Sequence, residues 1–360
     1  MGQDPAALFA KSSGDRGVLE GLWRLEWVNQ VWGILQTPPG ILVSAALLDF
    51  VLGDPWGWPH PVQWMGSFIQ GYCNLAWKGL HSRRLLRLAG VGLTLLLMGL
   101  SGIIGWSVIF FAKRYSLPLG WIVEVVLLAS CFAGRSLRAA AEDVIRTLRR
   151  RGLETARSRL SKYVGRDTDD LSEPEVLRAI LETIAENATD GVMAPLFYAA
   201  IGLFIPNVGA VPLALAYKAA STLDSMVGYR KPPYTDIGWF SARFEDALTW
   251  VPCRCHVISL GVLSGQLRKL LRACTREAIH DPSPNSGWSE CAYATLLGVQ
   301  LGGFNSYHGV VTFKPFLGKI HNPITTERIG LALRFVRNCF LLWIFFIVVL
   351  WLFGSGRLSV

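Results

Sequence analysis

The chain has 360 residues, 51% of them hydrophobic and only 17% charged, with a mean hydropathy of +0.36; soluble domains carry roughly 25% charged residues, so the composition excludes an ordinary soluble domain and points to a membrane protein. The net charge of +9 does not indicate a nucleic-acid partner, because the basic residues flank apolar segments instead of interleaving with aromatics in one patch. Seven cysteines, an odd number, with Cys131 and Cys339 inside apolar segments, give no disulfide framework.

In chain order, the N-terminus has neither the basic start nor the clean apolar core of a signal peptide. Instead "LWRLEWVNQVWGIL" places three tryptophans where a helix lying at the membrane interface carries them. Ile41–Ile69 opens on an apolar run too short for a secure span and ends in a Pro- and Trp-rich turn. Asp49 lies within that run, where an unpaired charge is costly; Asp54 precedes Pro55 as in a turn, and His60 sits between prolines. Leu88–Ala112 is charge-free over about 25 positions, where roughly 20 cross the hydrocarbon. Ser116–Gly134 carries Glu124 in an otherwise apolar run, so it is expected to hairpin back on the first span and turn the acid inward, either for function or for helix pairing. Arginines before Leu88 and after Gly134, against only Lys113 and Arg114 at the hairpin tip, put the tip outside and the region from Arg135 onward in the cytoplasm.

Residues 135–190 show apolar residues at helical intervals on a charged background, with no alternating strand pattern to compete. Ser172, Glu173, Pro174 and Glu175 form a helix start. Gly191–Tyr217 is apolar and long enough to span, yet Pro195, Pro206 and Pro212 interrupt it and "PNVG" marks a turn. A single span and a re-entrant hairpin turning at Pro206 to Gly209 compete; the hairpin is favoured if the flanks share a site. Cys339–Phe353 is a C-terminal span. The expected fold class is an all-α polytopic integral membrane protein with a helical cytoplasmic region and a re-entrant helical hairpin. Its parts are an N-terminal extension 1–40, a membrane domain 41–330 with a cytoplasmic insertion 135–190, and a C-terminal helix and tail 331–360.

Chemistry concentrates in four stretches. In "ETIAENATDGVMAPLFY", Glu182, Glu186 and Asp190 recur at i, i+4, i+8, on one helix face. Arg178 neutralises Glu182 as an i, i+4 pair, whereas Glu186 and Asp190 lack a basic residue at that spacing. They form either a solvated acidic face or ligands for magnesium, which takes one or two carboxylates plus phosphate oxygens. Leu215–Pro252 mixes Lys218, Arg230 and Lys231 with Asp224, Asp236, Glu245 and Asp246, as in a juxtamembrane loop or a phosphoryl-handling site. "HDPSPNSGWSE" offers Asn285 and Ser286 to a polar substrate or to the turn itself. Cys253, Cys255 and His256 lack a second cysteine pair at zinc spacing, and no Gly-rich nucleotide loop occurs.

Together, "LLDFVLGDPWGWPHPVQWMG", "ETIAENATDGVMAPLFY", "AYKAASTLDSMVGY", "FSARFEDALTWVPCR" and "HDPSPNSGWSE", in this order, resemble the adenosylcobinamide-phosphate synthase family (CobD/CbiB) of cobalamin biosynthesis. The resemblance covers residues 41 to about 330. It implies a multi-pass protein of the cytoplasmic (inner) membrane, with its active site facing the cytoplasm. Its implied reaction is an ATP- and magnesium-dependent ligation joining aminopropanol, usually as its phosphate, to a propionate of adenosylcobyric acid. Ser221 stands where the family usually has Asn, and Glu245–Asp246 where it commonly has an Asp pair; both changes keep polar oxygen.

On this reading Glu186, Asp190 and Asp224 hold magnesium, while Lys218, Arg230, Lys231, Asn187 and Asn285 bind substrate and phosphate. The propionate is activated by phosphorylation, and Asp246, Asp54 or His60 takes the amine proton. The apolar corrin body is assigned to the Val192–Tyr217 wall. The implied partners are the corrinoid, aminopropanol phosphate and docking enzymes of the same pathway. A noncatalytic membrane sensor or assembly protein of the AmpE-like kind is the alternative, and a transporter the third.

Overall fold

Apolar runs opened by proline and capping side chains become helices over most of the chain, and the computed structural model describes residues 27–53 and 60–354. Asp54 and residues 1–26 lie outside the described residues.

Helix α1 (Trp27–Leu35) meets α2 (Pro38–Val51) at an 84° bend. Thr37 makes the corner: its Oγ1 accepts the Gly40 N–H at 3.2 Å, and Pro38 and Pro39 occupy the first turn, where a missing N–H costs nothing. α3 (Pro61–Gly79) starts the same way from His60, whose Nδ1 accepts the Val62 N–H at 3.2 Å.

The longest helix, α4 (Arg83–Tyr115, 33 residues), extends for roughly 50 Å at 1.5 Å per residue. Ser116 then stops it and caps α5 (Leu117–Ala129), accepting the Leu119 N–H at 3.3 Å. α5 folds back along α4 and buries Glu124 as expected. It then bends by 46° into α6 (Gly134–Arg151). α4 and α15 (Thr326–Gly354) are each long and apolar enough to cross a membrane; counting each bent pair as one span, the described residues hold up to four such segments. Outward faces of the long helices are greasy, with Leu95, Ile103, Ile104, Phe111, Phe345 and Leu350 exposed, a surface that suits lipid and not water.

α7 (Leu153–Leu160) and α8 (Glu173–Asn187) follow. The capping box forms, the Ser172 N–H donating to Glu175 Oε2 at 2.7 Å. α8 buries Val176, Leu177, Ile180, Leu181 and Ile184 against α14 (Ser286–Leu297), α15 and their neighbours. A π-helical turn, Ala188–Met193, leads into α9 (Ala194–Phe204), which returns as α10 (Ala210–Val227). The reversal falls at residues 205–209, where Asn207 and Gly209 take positive φ of 64° and 82°, so the antiparallel hairpin turns at the "PNVG" segment. α10 lies in close contact with α4 because Gly102 and Gly105 present no side chain: a Cβ on Gly102 would stand 3.3 Å from the Pro212 carbonyl oxygen and one on Gly105 2.5 Å from Leu215 Cδ1.

α11 (Tyr234–Ile237), α12 (Trp239–Leu263) and α13 (Leu267–Glu277) complete the helical set. The departure from expectation is an antiparallel hairpin, β1 (Leu301–Tyr307) with β2 (Val310–Leu317). A register shift between Leu301 and Gly303, with Gly302 and Gly303 at positive φ, breaks the two-residue alternation by which a strand is read from sequence. Arg178 fastens the hairpin to α8 through the carbonyl oxygens of Gly302, at 2.6 Å, and Phe304, at 3.1 Å.

Candidate active site

The π-helical turn is the first element of the site. Its wider hydrogen-bonding pattern changes the local winding relative to an α-helix, and Asp190 lies within electrostatic reach of Glu186 on α8, of Asp224 on α10 and of Glu245 and Asp246 on α12. The turn is held from behind: Thr189 Oγ1 lies 2.9 Å from His256 Nδ1 and donates to Ser289 Oγ at 3.1 Å, while His256 Nε2 is 3.3 Å from the Tyr293 hydroxyl. His256 is wholly buried, and burial pulls its pKa down to about 3, so it is a neutral hydrogen-bonding strut. Cys253 Sγ meets the Asn285 carbonyl at 3.3 Å, which leaves the Cys253–His256 stretch structural.

The last turns of α10 bring Asp224, and Gly228 shapes its surroundings. Its amide donates to the Asp224 carbonyl at 2.8 Å, and a Cβ at this position would collide with Asp224 Oδ1. α12 contributes Glu245 and Asp246. Glu245 is buried and accepts from the Tyr217 hydroxyl at 3.3 Å and from Thr249.

These carboxyls share one recessed, poorly hydrated space. Burial first, then Glu245, Glu186, Asp224 and Asp246, raises the Asp190 carboxyl well above its ordinary value. Burial with Asp246 and Glu186 lifts Asp224 to about 7. Glu245 also reaches about 7, burial and the neighbouring acids outweighing the opposing bonds from Thr249 and Tyr217. Burial raises Asp246 too, against Ser283, Arg243 and Arg230. Carboxyls that raise one another's pKa in this way favour a proton or a cation among them.

Oxygen donors suit magnesium, but among the described residues no group of three His, Cys, Asp or Glu side chains converges to hold a metal alone. Glu186, Asp190 and Asp224, the expected trio, lie within electrostatic reach of one another without converging as a set of three ligands. The set still fits an ion bound through one or two carboxylates and completed by substrate phosphates and water.

Asp246 is positioned by the loop before α14. Asn285, which is buried, donates from Nδ2 to the Asp246 carbonyl at 2.8 Å, and Ser283 Oγ lies 3.5 Å from Asp246 Oδ1. Arg254 holds the loop in turn, with Nη1 2.6 Å from Asn285 Oδ1 and Nη2 2.9 Å from the Pro284 carbonyl. Its guanidinium is sandwiched between the Trp250 and Trp288 rings, 4.6 and 4.7 Å from their centroids. Asn285 thus has its amide engaged in joining loop to helix.

Arg230 and Lys231 lie exposed on the rim. Arg230 Nη2 donates to the Pro282 carbonyl at 3.2 Å, and Lys231 Nζ stands 6.0 Å from the Tyr307 ring centroid, so the loop after α10 bridges the 281–285 loop and the hairpin tip. Lys218 is half-buried earlier on α10. Asn187 donates back to the Thr183 carbonyl at 3.0 Å. His60 caps α3, its Nδ1 lone pair taken by an N–H.

The Val192–Tyr217 run expected to hold the corrin has a buried side and an exposed one. Val192, Met193, Leu196, Ala199, Ala214 and Tyr217 are buried by the protein's own helices, with Tyr198 stacked on Tyr217 at 5.0 Å and donating to the Leu248 carbonyl. Ile201, Phe204 and Ile205 lie exposed on its other side.

Two parts of the neighbourhood lay beyond sequence reasoning. Glu182 accepts from Arg178 at 3.1 Å as expected, but also from Arg166 at 2.6 Å and from the Gly302 N–H at 2.8 Å. Lys314 of β2 lies 2.6 Å from Glu290 and 3.6 Å from Asp281. Burial alone would pull its ammonium down, yet Glu290, Asp281 and Glu186 hold it above the usual lysine range. The one available signal was Glu290 itself, a lone acid in the otherwise uncharged "SGWSECAYATLL" helix.

The family described as CobD/Cbib protein matches residues 42–336. A "Cobalamin biosynthesis protein CobD" from Synechocystis is 50% identical over 301 residues, covering 84% of this chain and 88% of that relative. A "Cobalamin biosynthesis protein CbiB" from Salmonella arizonae is 42% identical over 294 residues, 81% of this chain and 90% of the relative. The "Cobalamin biosynthesis protein CobD" of Citrobacter koseri is 40% identical over 317 residues, 87% and 95% of the two chains. No solved structure matches.

Proposed function

The chain belongs to the CobD/CbiB family, and from that premise we propose that it is the membrane enzyme of cobalamin biosynthesis that joins aminopropanol, as its phosphate, to a propionate of adenosylcobyric acid with consumption of ATP. The observation that carries the reading is the recessed set of Asp190, Asp224 and Glu245, whose carboxyls are raised by burial and by neighbouring acids, with Asp246 and the exposed Glu186 among those acids and Lys218, Arg230 and Lys231 on α10 and the loop after it. Acidic oxygens next to basic side chains are what phosphates with a bound divalent cation need.

A propionate carboxylate is a poor acyl donor until it is phosphorylated, so the chemistry rests on alignment and charge stabilisation. Arg230 and Lys231 on the exposed rim and Lys218 deeper on α10 draw in and orient the phosphates of ATP and of the amine. Magnesium, when bound through Asp190 with Asp224 or Glu186, would offset phosphate charge. Asp246 takes the proton released as the amine attacks: burial moves its carboxyl toward neutrality, and Asn285 and Ser283 hold it in place. His60 is the weaker choice, because Nδ1 is committed to its helix cap. The positive-inside pattern supports a site on the cytoplasmic side of the inner membrane.

The test is product formation by the full chain reconstituted in membrane with ATP, magnesium, adenosylcobyric acid and the amine, with and without its phosphate. Glu186→Gln combined with Asp190→Asn should abolish product. Full product from the double variant would sink the cation assignment, and none from the wild-type chain would favour a noncatalytic role.

A further inference from the structure

At the far end of the α9–α10 hairpin from the acidic site, roughly 20 Å along α10 by helix rise, lies a second cavity of about 590 Å³. This is a size at which small-molecule ligands are held. The corner between α1 and α2, the end of α4, α5 and the Pro206–Gly209 turn enclose it. Its walls are largely apolar, including Ile109, Phe110, Leu203 and Ile205, but both charges of an ion pair face it: Lys113 Nζ lies 2.6 Å from Glu124 Oε2.

The pair is unevenly hydrated. The Glu124 side chain is only 9% exposed and that of Lys113 44%. Glu124 Oε2 is buried and has no hydrogen bond of good geometry, among the described residues, beyond this contact. A carboxylate has about four lone-pair positions and an ammonium three donors, so each ion keeps capacity directed at the cavity. Around it, Trp106 donates to the Asn207 carbonyl at 3.0 Å and Trp121 to the Leu35 carbonyl at 2.9 Å, with Trp32 packed on Trp121 at 5.4 Å. Such tryptophans mark the headgroup level of a bilayer, and Lys113 with Arg114 lies at the tip that the charge pattern turns outward.

We propose that this cavity binds the headgroup of one ethanolamine phospholipid, its phosphate on Lys113 and its ammonium on Glu124, with the acyl chains leaving along the apolar wall. Paired opposite charges select a zwitterion over an anionic lipid. A carboxylate that needs hydrogen bonds selects a primary ammonium over a quaternary one, which has no N–H to donate. A soluble aminoalkyl phosphate has the same polar chemistry; the apolar walls favour the lipid.

The full chain, delipidated in detergent, is titrated with phosphatidylethanolamine, phosphatidylcholine, phosphatidylglycerol and soluble phosphoethanolamine, with bound molecules counted by native mass spectrometry. The expected result is one ethanolamine lipid retained about tenfold more tightly than either other lipid, with soluble phosphoethanolamine competing weakly. Glu124→Gln and Lys113→Met, each checked by its melting curve, should remove that preference. Equal retention of the three lipids by the wild-type chain overturns the proposal without reference to any variant. Unchanged selectivity in both folded variants overturns the residue assignment, and soluble phosphoethanolamine binding as tightly as the lipid overturns the lipid source.

Discussion

Lys314 on β2 reaches 2.6 Å from Glu290 on α14, where Glu290 is 0% exposed. A strand lysine and a helix glutamate thereby join the hairpin to the helix bundle beside the acidic site. Removing one member of a buried pair strands the other charge and costs about 3–5 kcal/mol, whereas replacing both with apolar side chains is close to neutral. Lys314→Met should therefore lower unfolding stability by that amount, and Lys314→Met with Glu290→Met by much less. Denaturation of the two single variants and the double variant in one detergent measures the coupling.

Gly228 holds open the space of the Asp224 carboxylate. Gly228→Ala should displace the Asp224 carboxylate and shift the end of α10, whose Asp224 carbonyl oxygen a Cβ would crowd at 2.6 Å, so product formation falls by roughly a hundredfold, as when a positioned group is moved by about 1 Å. The melting temperature of the variant should change by only a few degrees. A normal turnover rate would show that the Asp224 carboxylate tolerates displacement.

Raised carboxyl pKa values set the sign of a pH effect. Asp224 rises from 3.8 to about 7 and Glu245 from 4.5 to about 7, so the folded state holds protons that the unfolded chain releases earlier. Stability of the magnesium-free protein should then fall as pH rises between about 4 and 7, and level off above it. Adding magnesium should raise the melting temperature at pH 8 and have little effect at pH 5, where the same carboxyls are protonated. Thermal scans across pH with and without the cation check both halves.

Arg254 acts through a fork and a flat face: it bonds the Asn285 side chain and the Pro284 carbonyl while lying between Trp250 and Trp288. Arg254→Lys keeps the charge but loses the paired bonds and most of the stacking. It should loosen the 281–285 loop and raise KM for the amine about tenfold or shift the acidic limb of the pH–rate profile, the limb expected from Asp246 as the proposed base. Steady-state kinetics with the amine varied, over a pH series, separates this from simple loss of folded protein.

Much of this protein was determined by sequence alone, wherever the deciding interaction is local. Uncharged length marks α4 and α15 because hydrocarbon thickness sets a minimum run. Ser172 with Glu175 marks the start of α8, and the i, i+4 spacing of Arg178 and Glu182 forecasts their pair because a helix repeats every 3.6 residues. The "PNVG" segment marked the reversal between α9 and α10. Tertiary structure alone decided what meets across long separations. The approach of Asp224, Glu245 and Asp246 to Asp190 joins residues far apart in the chain, which no local spacing announces. The glycine bulge hid β1 from any two-residue periodicity, and with it the reach of Lys314 to Glu290. Packing of α9 and α10 against their neighbours buried one side of the Val192–Tyr217 run and left Ile201, Phe204 and Ile205 exposed on the other. Apolar spacing states that a face must be covered; whether helix, lipid or ligand covers it follows from the three-dimensional path of the chain.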